Sequence, residues 1–364
     1  MKMRIRSKDQ ILQGVKKMNK KSILAIMLSL CFVFGFMAVS AYGDILTVPD
    51  PTHVPPINTI QDAVNAANPL GGDIIMVMPG SYAGALVNKP VEIIGSGTDQ
   101  TFITSPTSGR SGLSILESNV KISNLKIICN VVSGNPMLYG VIINPNLNTT
   151  VNPPRTNVTV TQIEIVKGTG WPITLQGITT LSYVEGILGN NVSECEITHN
   201  KVYDFQSDGI FLKAAGFKSE KNLIAFNHVS STIPSGYFYP VGITLFALGG
   251  SRFGTVIIPA GEISNNKVVH NNSTATAGDG IDLAENYTPY TLTYGNITNN
   301  YIGFNDCRGT GFDQIAAYAT GGPNDSAEKA AILAKNYFSR NLGDNRAVVK
   351  TDLPAKDFNP QPIE

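Results

Sequence analysis

The chain has 364 residues, with 27 basic and 27 acidic side chains and no formal net charge. The first 43 residues hold eight of the bases and a single acid, Asp9, so residues 44–364 carry 19 bases and 26 acids. This excess of seven negative charges argues against nucleic acid as a partner, because phosphate binding needs a basic stripe. It also disfavours polyanionic glycans, unless Ca²⁺ bridges the like charges.

The amino-terminal segment is typical of a secretory signal. Residues 1–21 are rich in Lys and Arg, residues 22–39 ("SILAIMLSLCFVFGFMAV") are apolar, and "SAYG" at 40–43 offers small residues for cleavage near Gly43. The alternative is an uncleaved membrane anchor, for which the apolar run is long enough. We expect a secreted, periplasmic or cell-surface protein, of bacterial type from its compact Lys-rich start, with no membrane contact after cleavage.

A short helix is predicted near the start of the mature chain, at about residues 58–68. Ile60, Ala63, Val64 and Ala67 fall on one helical face, and Asn58 or Thr59 precedes them as a candidate cap. Two glycines at 71 and 72 would end it. Such a helix would cover the open end of a stack of strands, which otherwise exposes unpaired edges.

The rest of the chain contains irregular repeats of 27 to 39 residues. In each, an aliphatic residue is followed three positions later by asparagine, and the flanking segments alternate aliphatic and polar residues over only four to six positions. These features predict a solenoid of short parallel strands, in which the asparagines form one stacked structural column. The column comprises Asn200, Asn227, Asn266, Asn300 and Asn336.

The segment "INTIQDAVNAANPLGGDIIMVMPGSYAGALVNKPVEIIGSGTDQTFI" at 57–103 resembles the cap and first coils of pectin lyase-like proteins. The resemblance implies an all-β, single-stranded right-handed parallel β-helix over residues 44–349, with a polar tail at 350–364. It implies a broad carbohydrate-binding or sugar-hydrolase type. "SDGIFL" and "GDGIDL" loosely resemble two polygalacturonase motifs, but no "GHG" or "RIK" occurs, and the later signatures of pectin methylesterases and lyases have no counterpart.

A column of acids follows when the coils are aligned on their Gly-Ile step. Asp208, Val241, Asp279 and Asp313 share one position, with adjacent coils about 4.8 Å apart. Strict alternation along the strand would place Asp282 on the side opposite Asp279, so these two acids are predicted not to pair. Two carboxylates about 5 Å apart suit a retaining glycosidase or a Ca²⁺ site. The alternative is that Asp-Gly only forms a corner.

A second column predicts an outward ridge of cations and aromatics. It comprises Lys201, His228, Lys267, Tyr301 and Tyr337, one per coil. The ridge would grip a glycan, with rings against sugar faces and Lys on hydroxyls, or it is an ordinary solvated face. Arg308 lies near the acids in sequence. Trp171, aligned with Asp208, is either a sugar platform or a packed loop residue.

Three functions remain open on the sequence. The chain hydrolyses or lyses a polysaccharide or cell-envelope glycan with Asp208, Asp279 and Asp313; it binds glycan without chemistry; or it is a structural surface protein. No cofactor is required by any motif, and Ca²⁺ is the one metal considered. No metal ligands are assigned, because the cysteines of the mature chain are widely spaced and read as small buried hydrophobes.

Overall fold

The computed structural model describes residues 43–107, 111–132, 135–145, 154–169, 173–175, 178–180, 185–232, 240–253, 256–288 and 291–343. The expected signal before Gly43, the tail at 350–364 and Trp171 lie outside these ranges. In the part of the chain that the structure describes, no helix is long and apolar enough to cross a membrane.

Within these ranges the strands stack into three long sheets, here called sheets A, B and C. Sheet A is parallel throughout and follows chain order. Its strands are Ile45–Val48, Ile74–Val77, Glu92–Gly95, Lys121–Ser123, Thr159–Thr161, Glu196–Thr198, Leu223–Ala225, Lys267–Val269, Tyr301–Gly303 and Tyr337–Ser339.

Sheet B carries the longest strands. Its parallel strands are Ala85–Val87, Ser111–Ile115, Tyr139–Ile143, Glu185–Asn190, Asp208–Ala214, Val241–Leu248, Asp279–Thr288 and Ile315–Thr320, and Thr293–Tyr294 pairs antiparallel at its edge. Sheet C consists of Gly80–Ala83, Thr101–Ser105, Lys126–Cys129, Glu164–Lys167, Lys201–Tyr203, His228–Ser231 and Asn272–Ala275.

Short strands complete the coils at their corners. Lys218–Glu220, Glu262–Ser264 and Asn296–Thr298 form a small parallel sheet, and Arg155–Thr156 pairs with Val192–Ser193. Hairpins join Val131–Val132 to Asn135–Pro136, Ile173–Leu175 to Ile178–Thr180, and Ser251–Phe253 to Val256–Ile258.

The chain visits the sheets in a fixed cycle, which identifies the architecture. One coil runs through Glu196–Thr198 in sheet A, Lys201–Tyr203 in sheet C and Asp208–Ala214 in sheet B, and then enters the next coil at Leu223–Ala225. Aliphatic side chains from all three sheets fill one core that extends from Leu46 to Ile332. The fold is the expected all-β, right-handed parallel β-helix.

Asparagines form two ladders where a single column was predicted. Side-chain amides hydrogen bond from coil to coil at the corner between sheets A and C, and again at the corner before sheet A. The first ladder is Asn200, Asn227, Asn271, Asn305 and Asn341; the second is Asn222, Asn266, Asn300 and Asn336.

The error in the predicted column has a simple origin. Four of these five coils carry an asparagine at both corners, five residues apart, as at Asn266 and Asn271. Aligning one repeat on the first corner and the next on the second therefore merges two ladders into one. Within a ladder the amides are fully used: Asn266 donates to Ser219 O at 3.0 Å and to Asn300 Oδ1 at 2.8 Å.

Two helices of the described ranges cover apolar surface of the β-helix. Helix α1, Ile60–Ala66, lies within the predicted range; Thr59 caps it through a capping box with Asp62, and Ile60, Ala63 and Val64 are buried. It packs on the first strands of sheets A and B.

Helix α2, Asp325–Lys335, was not expected. It is inserted between the last strands of sheets B and A, and it buries Lys329 and Ile332 against the last coil.

Candidate functional site

The acid column lies where the strands of sheet B begin. The register pairs Asp208 with Val241 and Val241 with Asp279, as aligned from the sequence. Asp313 follows on the next coil: its backbone N–H donates to Asp279 Oδ1 at 2.7 Å, and its carbonyl accepts from Gly280 N at 3.0 Å. The three predicted acids therefore belong to one column, in which Val241 lies on the coil between Asp208 and Asp279.

Asp282 also belongs to this cluster, and the prediction that it does not pair with Asp279 is wrong. The two carboxyl groups are hydrogen bonded to each other. Ile281 lies in the core, and a Cβ on Gly280 would also meet core atoms, Cys307 Cβ among them at 2.9 Å. Two successive residues thus face inward, the alternation shifts by one at the glycine, and Asp279 and Asp282 both face outward.

Burial makes this pair share a proton. Asp279 is fully buried, Asp282 is 2% exposed and Asp313 is 4% exposed. Removal from water raises the pKa of Asp282 well above its usual range, and the charges of Asp279, Asp208 and Asp313 raise it further. Asp282 therefore holds its proton more tightly than an exposed aspartate does. Its Oδ1 is buried and accepts no hydrogen bond.

Asp208 is the most open of the four acids, being only half-buried. Its carboxylate accepts hydrogen bonds from the hydroxyls of Thr244 and, at 2.9 Å, of Ser207. Thr244 lies directly opposite Asp282 on the neighbouring strand. The half-exposed carboxylate thus reaches the buried pair across a single threonine.

The outer face of sheet B beside the acids is aromatic. Phe246, Ala284, Ala316 and Tyr318 form an apolar cluster against which Phe211 packs. The Tyr318 hydroxyl donates to Asp279 Oδ2. Phe211 and Ala316 were expected to face the same side as Asp282. Phe246 and Tyr318 were not predicted, although they alternate with inward aliphatic residues along their strands of sheet B.

A buried cation lies on the same face. Lys213 is 4% exposed, and its ammonium lies 5.9 Å from the centroid of the Phe246 ring. At that distance the ring quadrupole attracts the ammonium. The outer face of sheet B thus carries a cation as well as acids.

The predicted ridge does not exist as one surface. Lys201 pairs with His228 in sheet C, whereas Lys267 pairs with Tyr301, and Tyr301 with Tyr337, in sheet A. This error has the same origin as the single asparagine column. The residue after each asparagine was taken to lie in one sheet, whereas one corner leads into sheet C and the other into sheet A. Neither group lies on sheet B with the acids.

Arg308 follows the acid-bearing coil but is held elsewhere. Its guanidinium binds Asp306 through Nε at 2.9 Å and Nη2 at 2.7 Å. This exposed ion pair occupies the guanidinium fork, so no contact between Arg308 and the four acids follows from the structure.

The acid cluster does not fit a calcium site. Among the described residues, no group of three or more His, Cys, Asp and Glu side chains is placed to hold a metal ion. Cys129, Cys195 and Cys307 are buried thiols, and burial raises the pKa of Cys129 to about 12 and of Cys195 to about 11, which leaves them unreactive.

No protein-family model matches the chain, and no curated protein sequence matches it either. Solved structures similar to it include a double mutant of the tailspike protein of E. coli bacteriophage HK620 in complex with a pentasaccharide. Its TM-score is 0.43 at 12% identity over 71% of this chain, which spans 43% of the tailspike.

Two further structures are enzymes by description. A hyperthermoactive exopolygalacturonase from Thermotoga maritima has a TM-score of 0.44 at 11% identity, covering 82% of this chain and 79% of its own. An alginate lyase from Paenibacillus has a TM-score of 0.37 at 13% identity, covering 83% and 98%. These similarities concern the β-helix fold alone.

Proposed function

We propose that this chain is an exported β-helix protein that binds polysaccharide on the outer face of sheet B and hydrolyses its glycosidic bonds there. The observation that carries the proposal is the buried Asp279–Asp282 pair, in which the pKa of Asp282 is raised well above its usual range beside the half-exposed Asp208. Glycoside hydrolysis needs a carboxylic acid and a carboxylate on one sugar.

The roles follow from the protonation and exposure of the acids. Asp282, held neutral by burial and by Asp279, gives its proton to the glycosidic oxygen as the C–O bond breaks. Water adds to the anomeric carbon and passes a proton to Asp208. Asp208 then returns that proton to solvent, Asp282 is reprotonated, and the net reaction consumes one water per bond.

The rim of the acid cluster offers an entry and an apolar surface. Ser207 and Gln314 beside the acids are half-buried, and Phe312, next to Asp313 in the chain, is 45% exposed. Such a ring can pack on the apolar face of a sugar. The excess acidic charge of the mature chain favours a neutral glycan over a polyanion.

A glycan screen on purified residues 44–364 tests this function. We expect binding and release of new reducing ends, with no dependence on Ca²⁺. Asp282→Asn and Asp208→Asn should each abolish product release and leave binding intact. Product with an unsaturated sugar would instead indicate elimination, and product release unchanged in both variants would refute the assignment.

A second candidate, a non-catalytic glycan-binding or structural solenoid, is favoured by one observation. Asp279 is fully buried and takes the Asp313 N–H and the Tyr318 hydroxyl, so it also serves to fix the last corners of sheet B. If this is its whole role, wild-type protein releases no product from any glycan, and Asp279→Asn lowers only stability.

A further inference from the structure

Tyr318 is tied to the acid pair by its single polar atom. The residue is 1% exposed, and its ring is enclosed by Phe246, Ala284 and Ala316. Its hydroxyl donates to Asp279 Oδ2. Tyr318 lies opposite Ala284 on the neighbouring strand, and Asp282 lies opposite Ala316, so the hydroxyl reaches Asp279 past the position of Asp282.

The two oxygens of Asp279 therefore have different donors. Oδ1 takes the Asp313 backbone N–H at 2.7 Å, and Oδ2 takes the Tyr318 hydroxyl. Hydrogen bonds donated to a carboxylate favour its charged form. Asp282 has no such support, because its Oδ1 is buried and accepts nothing. The pair is asymmetric, and the asymmetry comes from donors to Asp279.

We propose that Tyr318 is a positioning residue that places the shared proton on Asp282, so that Asp282 and not Asp279 acts as the general acid. This inference rests on the proposed function for its consequence in catalysis, but the location of the proton is a property of the free protein. Of the two donors to Asp279, the backbone N–H cannot be removed by a side-chain change, whereas the Tyr318 hydroxyl can.

Tyr318→Phe removes the hydroxyl and keeps the ring that fills the apolar cluster. Asp279 then competes for the proton, so less Asp282 is in the acid form. A smaller share of the protein then carries the proton on Asp282, so the rate falls across the plateau of the pH–rate profile. We expect kcat to fall about tenfold, the equivalent of one hydrogen bond, with KM unchanged.

The chain offers a matched control in Tyr294→Phe. The Tyr294 hydroxyl donates to a different carboxylate, Asp325 Oδ1, at 2.6 Å beside helix α2. Its removal deletes the same kind of bond without touching the acid pair. The control variant should melt lower but keep the wild-type pH–rate profile.

Carbon-13 NMR titration of the aspartate carboxyl carbons gives a readout that needs no substrate. Asp279→Asn and Asp282→Asn assign the two carboxyl signals. We expect the Asp282 signal at neutral pH to move toward the carboxylate position in Tyr318→Phe, and to stay at its wild-type position in Tyr294→Phe.

If the Asp282 signal in folded Tyr318→Phe stays at its wild-type position, the inference is overturned, even if the wild type hydrolyses glycan. If the Asp282 signal moves as expected but the wild type hydrolyses no glycan, the inference is supported and the proposed function is refuted. A melting curve for each variant confirms that it is folded before either measurement is made.

Discussion

Glu285, on a sheet B strand, is close enough to Glu328 of helix α2 for the two like charges to act on each other. Glu285 lies opposite Ala247 and Ala319, both core residues, and is 1% exposed. Its Oε1 accepts the Ile297 N–H at 2.7 Å, and its Oε2 is buried without a partner. Burial is the main cause that raises the pKa of Glu285 to about 8, and the charge of Glu328 adds to it.

This acid should make the folded protein less stable at alkaline pH. The pKa of Glu285 is higher in the folded than in the unfolded chain, so the folded state binds more protons between about pH 4.5 and pH 8. Stability is therefore highest below that window and falls across it, by a few kcal/mol. Urea unfolding at several pH values measures the slope.

Glu285→Gln should flatten that slope and raise stability at pH 8, because a glutamine oxygen still accepts the Ile297 N–H and carries no charge. Glu262→Gln, which removes a surface ion pair with Lys218, is the control and should leave the slope unchanged. An equal slope in wild type and Glu285→Gln would contradict the assignment.

The acid pair makes a second, asymmetric prediction about stability. Asp282→Asn replaces a protonated acid with a group that still donates to Asp279, so the free energy of unfolding should change by less than about 1 kcal/mol. Asp279→Asn leaves one amide oxygen for two donors, and it should cost about 1 to 3 kcal/mol. Thermal and urea unfolding at pH 7 compare the two. Equal losses would show that the proton does not reside on Asp282.

The β-helix could be predicted from the sequence because every coil repeats the same pattern of short strands and corner residues. Short alternating segments and corner asparagines recur often enough that errors at one repeat do not hide the solenoid. The sequence did not show which asparagine belongs to which corner. The residues around Asn266 and Asn271 follow the same pattern, and only the hydrogen bonds between coils distinguish the two positions.

The acid site could be predicted in part from the sequence. Asp208, Asp279 and Asp313 align on the Gly-Ile step, but the pairing of Asp279 with Asp282 depends on a phase shift at Gly280. The neighbouring residues do not indicate that shift, because glycine also occurs in strands whose side chains alternate regularly. Tyr318 is placed by a coil 39 residues downstream of Asp279, so its contact required the register itself.

The asparagine ladders should contribute strongly to stability. Asn266→Ala removes the two bonds donated by this amide. It also leaves the buried Asn222 N–H without its acceptor and removes one of the bonds that Asn222 Nδ2 donates. We expect a loss of about 2 to 4 kcal/mol, since buried groups left unpaired cost about 1 to 3 kcal/mol each. Exposed Asn88→Ala is the control and should change little. A loss below about 1 kcal/mol in the ladder would mean that backbone pairing alone holds the coils.

One buried asparagine should behave in the opposite way. Asn190 is 1% exposed, and neither atom of its side-chain amide has a hydrogen-bond partner. An unpaired buried amide destabilises the folded state, so Asn190→Leu, similar in volume, should raise the free energy of unfolding by about 1 to 3 kcal/mol. Asn200→Leu is the matched contrast: that amide is equally buried but fully bonded in its ladder, and the same change should lower stability. Urea unfolding of both variants settles the sign, and a decrease in Asn190→Leu would mean that the amide is bonded in solution.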